Sequence, residues 1–315
     1  RRLLMAIVGS LPEVRVVIFD PNRSYEALCS DPLWWLSIAW HKTRLNPFAW
    51  ISGTQPDLWL CEATSRLARG ELAHSAYTVV RVLLNLYEAA RAAAGSGGCV
   101  LPPSLLDLRD ALAALKARRW SKEQQYIESA LNVIDGRVRT TPGVYDCAYG
   151  MESLLTNGRV RISTEGLSPI ESLEYYITNL VYYIYKVRSL SPLVALPQLH
   201  TLIVIEEAQI LLQPRDWAGI RLYQEILLKA RSLGIGFVLV FQDLGRVDPT
   251  VLSACSNLFL FSQGTGRDKA ICREIADLSP RESGLLGELQ TGECFIRMIG
   301  HPTWPHPFLA RIPHE

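Results

Sequence analysis

Four apolar residues run directly into two carboxylates at Leu202–Ile203–Val204–Ile205–Glu206–Glu207, and no other segment constrains the fold as much. The run describes a buried strand that delivers its acids to the C-terminal edge of a sheet. Open α/β sheets bind ligands at that edge. The competing reading is a strand running into an acidic helix start, where the helix dipole favours carboxylates in any case. The pair alone does not choose between them.

The surrounding pattern narrows the choice. Val14–Asp20 reads as another buried strand, closed by the turn Pro21–Asn22–Arg23–Ser24. Arg159–Ser163, Phe237–Phe241 and Leu258–Phe261 are further strand candidates, the second ending at Gln242 and Asp243. Helical segments separate them, at Ser168 to Arg188 and near Trp217 to Leu233. Apolar strands alternating with helices predict a mostly parallel sheet covered on both faces. Leu258–Phe261 is expected to be one of its strands. Trp34 to Asn46 is aromatic and irregular, and the proline-bearing tail from Glu293 to Ile312 suits an edge hairpin or extended arm.

Residues 1–50 and 142–315 carry this pattern, whereas 51–141 reads as a helical insertion. Within it, a periodic segment runs from Glu71 to Ala94 and stops at Gly95–Ser96–Gly97–Gly98. Pro102–Pro103–Ser104 then opens a helix at Leu105, and Ser121 caps another. The helix over Arg1 to Val8 begins without a capping residue, which suggests a chain starting inside an element.

Bulk properties exclude more than they identify. Net charge is +1, so the chain is no globally basic nucleic-acid coat, although a local basic patch is compatible with it. Seven cysteines without a C-x-x-C spacing fit reduced, buried thiols rather than a disulfide framework or a zinc site. The most apolar window, Leu233 to Phe241, is far too short to span a bilayer, and no signal-peptide pattern opens the chain. A soluble, cytoplasmic protein is the expectation.

Acids and amides at adjacent strand ends suit nucleotide chemistry. One carboxylate there can hold the shell of a Mg²⁺ ion and another can orient an attacking water. On that logic Glu206 is the metal-side acid and Glu207 the water-orienting one, while Gln242 is placed to contact a γ-phosphate or the lytic water. Asp20 ends a strand beside the same edge and is a candidate cofactor contact. A turn-initiating Asp before Pro21 is the competing reading.

From Thr201 to Arg273 the chain resembles the HerA/FtsK superfamily of P-loop motor ATPases, which includes conjugative-transfer ATPases. The resemblance rests on an apolar strand ending in two acids and a helix with the basic end Lys229–Ala230–Arg231. A strand finishing at Gln242, the segment Asp248–Pro249–Thr250–Val251–Leu252 and another apolar strand follow in order. Val16–Ser24, Leu45–Asn46–Pro47 and Gly284–Leu289 leading into Gly292–Phe295 match further family segments. Two departures stand out. Glu206 replaces the usual Asp, and no G-x-x-x-x-G-K-[ST] loop occurs anywhere; Gly264–Thr265–Gly266–Arg267–Asp268–Lys269 is the nearest glycine-rich basic stretch. The resemblance implies that this loop precedes Arg1.

It further implies a RecA-like P-loop NTPase core with a helical insertion, ATP and Mg²⁺ as cofactors, and a homo-hexameric ring that translocates double-stranded DNA. A nuclease or a membrane secretion complex would be its partner. Arg267 is the first candidate for an arginine reaching a neighbour's γ-phosphate, ahead of Arg273 and Arg246. A secretion-type ATPase moving protein or protein–DNA cargo, and a degenerate ring subunit without catalysis, are the alternatives. Arg137, Arg139, Arg159 and Arg161 form either a phosphate-gripping patch or a solvated face. The tyrosines Tyr175, Tyr176, Tyr182, Tyr183 and Tyr185 read as a packing surface.

Overall fold

The computed structural model describes residues 2–49, 51, 53–68, 75–95, 100–118, 123–146, 158–191, 198–214 and 218–312. Ser121, Trp217 and the start of the Glu71 segment lie outside them.

Five parallel strands form the central sheet: β1 (Arg15–Asp20), β2 (Leu36–Ala39), β3 (Arg159–Ser163), β4 (Thr201–Ile205) and β5 (Ile235–Leu239). Their spatial order is β2-β3-β1-β4-β5. Phe19 of β1 faces Ile162 of β3 on one side and Ile205 of β4 on the other. Because side chains alternate along a strand, the sheet has two separate apolar faces. Val17, Phe19, Val160, Ile162, Ile203 and Ile205 join the larger core. Val16, Ile18, Leu202 and Val204 join a smaller one beneath helix α1 (Arg2–Gly9). A strand buried on both faces needs apolar residues at every position, which is why β4 reads as an unbroken run.

Among the described residues, four α-helices lie between β2 and β3 in the chain: α2 (Pro56–Ala68), α3 (Ala76–Ala94), α4 (Leu105–Arg118) and α5 (Glu123–Thr140). Their inward residues Leu60, Leu83, Leu112 and Ile134 are part of the larger core. Helix α4 starts at a reciprocal cap. The Ser104 hydroxyl accepts from the Asp107 amide at 3.2 Å, and the Asp107 carboxylate accepts the Ser104 amide at 2.7 Å. Helix α3 stops at Gly95, whose φ of +65° suits glycine. Leu45–Asn46–Pro47 ties the entrance of this segment to its exit. The Leu45 amide donates to the Val144 carbonyl at 2.8 Å, and Asn46 Nδ2 donates to the Pro103 carbonyl at 3.1 Å.

Helix α6 (Ile170–Leu190) crosses the core, and every residue from Ser172 to Tyr185 is buried. The five tyrosines therefore pack, as expected, and a helix buried on all sides is a core helix. Arg66 of α2 is sandwiched there. Its guanidinium lies 4.2 Å from the Tyr182 ring centroid and donates to Asn179 Oδ1 at 3.0 Å. Helix α7 (Ala218–Ala230) follows β4, and its Tyr223 hydroxyl lies 3.0 Å from that of Thr178.

Two strand expectations need correction. β2 lies in the stretch read as irregular, because a four-residue edge strand with half-exposed side chains leaves too little periodicity to recognise. Leu258–Phe261 does supply a strand, β6 (Asn257–Leu260), but not in the parallel sheet. It pairs antiparallel with β7 (Glu293–Met298), which pairs with β8 (Phe308–Arg311) in a separate three-stranded sheet. The β7–β8 pair is the hairpin expected of the tail. Short helices α8 (Pro249–Ser253), α9 (Gly266–Ala276) and α10 (Pro280–Leu285) complete this part.

Candidate functional site

The C-terminal ends of β1, β4 and β5 lie side by side, and the hydrogen-bond ladder continues past the strands. The Glu206 amide donates to the Phe19 carbonyl at 3.3 Å, Val240 N–H to Ile205 at 3.0 Å, and Ala208 N–H to Val240 at 2.9 Å. These bonds hold Glu206 and Glu207 between the loops that follow β1 and β5.

Glu207 has a left-handed backbone, φ +57° and ψ +38°. A non-glycine residue there costs about 1–2 kcal/mol, and such residues cluster at functional sites. Three side-chain amides converge on its carboxylate. Asn22 Nδ2 donates to Oε1 at 3.0 Å, Gln242 Nε2 donates to the same oxygen, and Gln209 Nε2 donates to Oε2 at 2.5 Å. Gln209 Oε1 in turn accepts the Gln242 backbone amide at 3.4 Å. Loops after three neighbouring strands thus meet on one carboxylate.

Glu206 sits beside it in a different environment. Its Oε2 is buried with no hydrogen-bond partner among the described residues. Burial pushes its carboxyl up to about 7; the nearby Asp20 and Glu207 carboxylates push the same way, and the Ser24 hydroxyl opposes them. A folded-state value raised above the ordinary 4.5 means that the native state binds the proton more tightly than the unfolded chain does. The associated stability is fully present below pH 4.5 and is lost as pH rises through about 7. Glu206→Gln is therefore expected to flatten the pH dependence of unfolding across that window and to raise the melting temperature above pH 7. Thermal denaturation from pH 4 to 8 without added nucleotide or divalent cation checks this.

Asp20 is fully buried and turned inward. Its Oδ1 accepts the Ser24 amide at 2.8 Å; Oδ2 accepts the Tyr25 amide at 3.0 Å and Arg161 Nε at 2.8 Å. The buried Arg161 guanidinium also donates to Ser37 Oγ at 2.9 Å. Asp20 thus shapes the turn that presents Asn22, and its own oxygens are committed inside the protein. These bonds are those of the turn-initiating Asp that competes with a cofactor contact in the sequence.

Gln242 lies three residues beyond the end of β5, in the following loop rather than at the last strand position. Arg267 does not join the Glu207 cluster. Its Nη2 donates to the Gly245 carbonyl at 2.8 Å, and a Cβ on Gly245 would come within 2.8 Å of the guanidinium. The arginine packs on the loop that carries Gln242, while remaining exposed. Arg246 pairs with Asp243 at 3.1 Å, and Arg273 is exposed on α9.

The four arginines weighed as a patch do not form one. Arg137 and Arg161 are buried, and Arg159 donates to the carbonyls of Val8 and Leu11 at 3.4 and 3.2 Å, behind the C-terminal end of α1. Only Arg139 of the four is exposed. Sequence reading missed Asn22 and Gln209, and it did not see Arg161 as the partner of Asp20. The first two stand two positions after an acid that was singled out, which is the one signal the sequence offered.

Among the described residues no helix is long and apolar enough to cross a membrane, and no three or more His, Cys, Asp or Glu side chains gather as a metal site.

No protein-family model and no curated protein matches the sequence. Solved structures do match. VirB4 of Thermoanaerobacter pseudethanolicus superposes with a TM-score of 0.74 at 16% identity, over 99% of this chain and 84% of that one. The plasmid coupling protein TrwB in complex with ADP and Mg²⁺ superposes with a TM-score of 0.71 at 16% identity, over 100% of this chain and 82% of TrwB. TrwB with the ATP analogue ADPNP gives 0.73 at 15% identity over the same shares. The parallel central sheet and its helical cover match a RecA-like P-loop NTPase, the fold this chain shares with VirB4 and TrwB.

Proposed function

We propose that the protein is a nucleotide-driven motor that hydrolyses ATP at the β1–β4–β5 rim and moves double-stranded DNA, working as a homo-hexameric ring. The observation that carries this reading is the meeting of Glu207 and Gln242 beside Glu206 at one sheet edge, in a fold shared with a plasmid coupling protein. Glu207 orients the attacking water and takes its proton, and Gln242 fixes that carboxylate while facing the γ-phosphate. Asp20 and Arg161 position the turn beside them.

The unpartnered Oε2 and raised carboxyl of Glu206 fit a site that expects a cation. Glu206 is the residue that would hold Mg²⁺. No cluster of further protein ligands gathers there among the described residues, which suits a cation bound through one or two carboxylates, waters and phosphates. Bound Mg²⁺ supplies charge neutralisation for the phosphates. Residues 1–315 carry no G-x-x-x-x-G-K-[ST] loop of the kind that cradles such phosphates. Arg267 spends one N–H on Gly245, and the other donors of its exposed guanidinium are assigned to a neighbouring subunit's nucleotide.

A second reading, a secretion-type motor with protein or protein–DNA cargo, is supported by the similar likeness to VirB4. Salt separates the two. If DNA is the cargo, the full-length protein binds duplex DNA with log K falling by about 0.9 per contacted phosphate for each unit of log salt. DNA also stimulates its ATP turnover. Absence of both at low salt, with turnover intact, would assign the motor to protein cargo.

A further inference from the structure

The turn after β1 contributes a group to Glu207 that the reading above does not require. Pro21 fixes the backbone at its first position, and the Asp20 carboxylate binds the amides of Ser24 and Tyr25 at its far end. Between them Arg23 takes a left-handed conformation, φ +54°, with its guanidinium paired to Glu26 at 2.7 Å and to Glu165 at 3.6 Å. Asp20 is itself locked to β3 by Arg161. An otherwise exposed asparagine is therefore presented from a turn secured at both ends, and its amide reaches Glu207 Oε1 at 3.0 Å.

A carboxylate offers about four acceptor positions, two on each oxygen. Asn22 and Gln242 together fill those of Oε1, and Gln209 takes one on Oε2. Among the described residues one acceptor position remains, on Oε2. We infer that Asn22 is a positioning residue for Glu207: with Gln242 it saturates Oε1, so that the free position of Oε2 is the one that meets the attacking water. The inference rests on the proposed hydrolytic role of Glu207 and adds the group that aims it. Without Asn22 one acceptor position of Oε1 opens, and water competes for Oε1 as well as Oε2. Charge-assisted amide–carboxylate bonds are stronger than neutral ones, so losing one of these three donors weakens the hold on the orientation.

Two variants and one spectrum test this in the full-length protein. Asn22→Ala is expected to lower kcat for ATP about 10- to 100-fold, within the range for misplacing a catalytic group, with KM unchanged. Asn22→Asp keeps the shape of asparagine but turns a carboxylate oxygen toward Glu207, and is expected to be worse than Asn22→Ala. A residue that merely fills space would show the opposite order. Independently of turnover, the side-chain NH₂ pair of Asn22, identified by its loss in Asn22→Ala, is expected to shift in the ¹H–¹⁵N spectrum of Glu207→Ala.

Wild-type kcat in both Asn22 variants while Glu207→Gln is inactive overturns the inference and leaves the motor reading standing. An NH₂ signal indifferent to Glu207→Ala overturns it as well, whatever the kinetics. Wild-type turnover in Glu207→Gln overturns the hydrolytic role of Glu207, and with it the water-aiming role given to Asn22.

Discussion

Glu207→Gln in the full-length protein is expected to lower kcat for ATP hydrolysis by about 10²–10⁴-fold, the usual contribution of a positioned general base, and to leave KM for ATP within a few-fold. The substitution is nearly isosteric and keeps one acceptor oxygen for the amides of Asn22, Gln209 and Gln242. It removes the charge that draws a proton from water, together with half of the acceptor capacity. An interaction needed only in the transition state appears in kcat and kcat/KM alike, whereas uniform binding appears in KM. A rise in KM at unchanged kcat would instead make Glu207 a binding residue.

Asp20→Ala is expected to cost about 3–5 kcal/mol of stability, the range for removing one partner of a buried ion pair. The pair is enclosed on both sides, with side-chain exposures of 0% for Asp20 and 4% for Arg161. Removing the carboxylate leaves a buried guanidinium with Ser37 Oγ as its remaining partner, and its Nη2 is already without one among the described residues. It also releases the amides of Ser24 and Tyr25. Urea denaturation of the two proteins measures the loss, with an unchanged slope showing that the folded state is still the reference. A change below about 1 kcal/mol would place Asp20 among ordinary surface acids, whose exposed ion pairs are worth that little.

What the sequence made legible follows from how local each signal is. β4 and its two acids are readable because a strand covered on both faces must be apolar at every position, and its polar end is then conspicuous. β3 is harder. Arg159 and Arg161 alternate with Val160 and Ile162 as a solvated face does, yet both arginines turn inward, one to Asp20 and one to the end of α1. No period distinguishes an arginine facing water from one facing a buried acid. β2 is too short to show a period at all, and β6 has the composition of a core strand although its partner arrives only after residue 292. The site divides in the same way. Glu206, Glu207 and Gln242 follow within three residues of a strand and are marked by their neighbours in sequence. Asn22 matters through a bond across 185 residues of chain, and Asp20 through one across 141. Contacts of that separation exist only once β1, β3 and β4 lie side by side.

The hydrolytic role of the rim is tested most directly by the fate of nucleotide already bound. The full-length protein and its Glu207→Gln variant are loaded with radiolabelled ATP and Mg²⁺, freed of excess nucleotide and quenched over a time course. The wild type is expected to hold mostly ADP by the end of the course, while the variant binds as much nucleotide and retains it as ATP. Conversion of bound ATP at the wild-type rate by the variant would contradict the assignment of Glu207 and the account built on it.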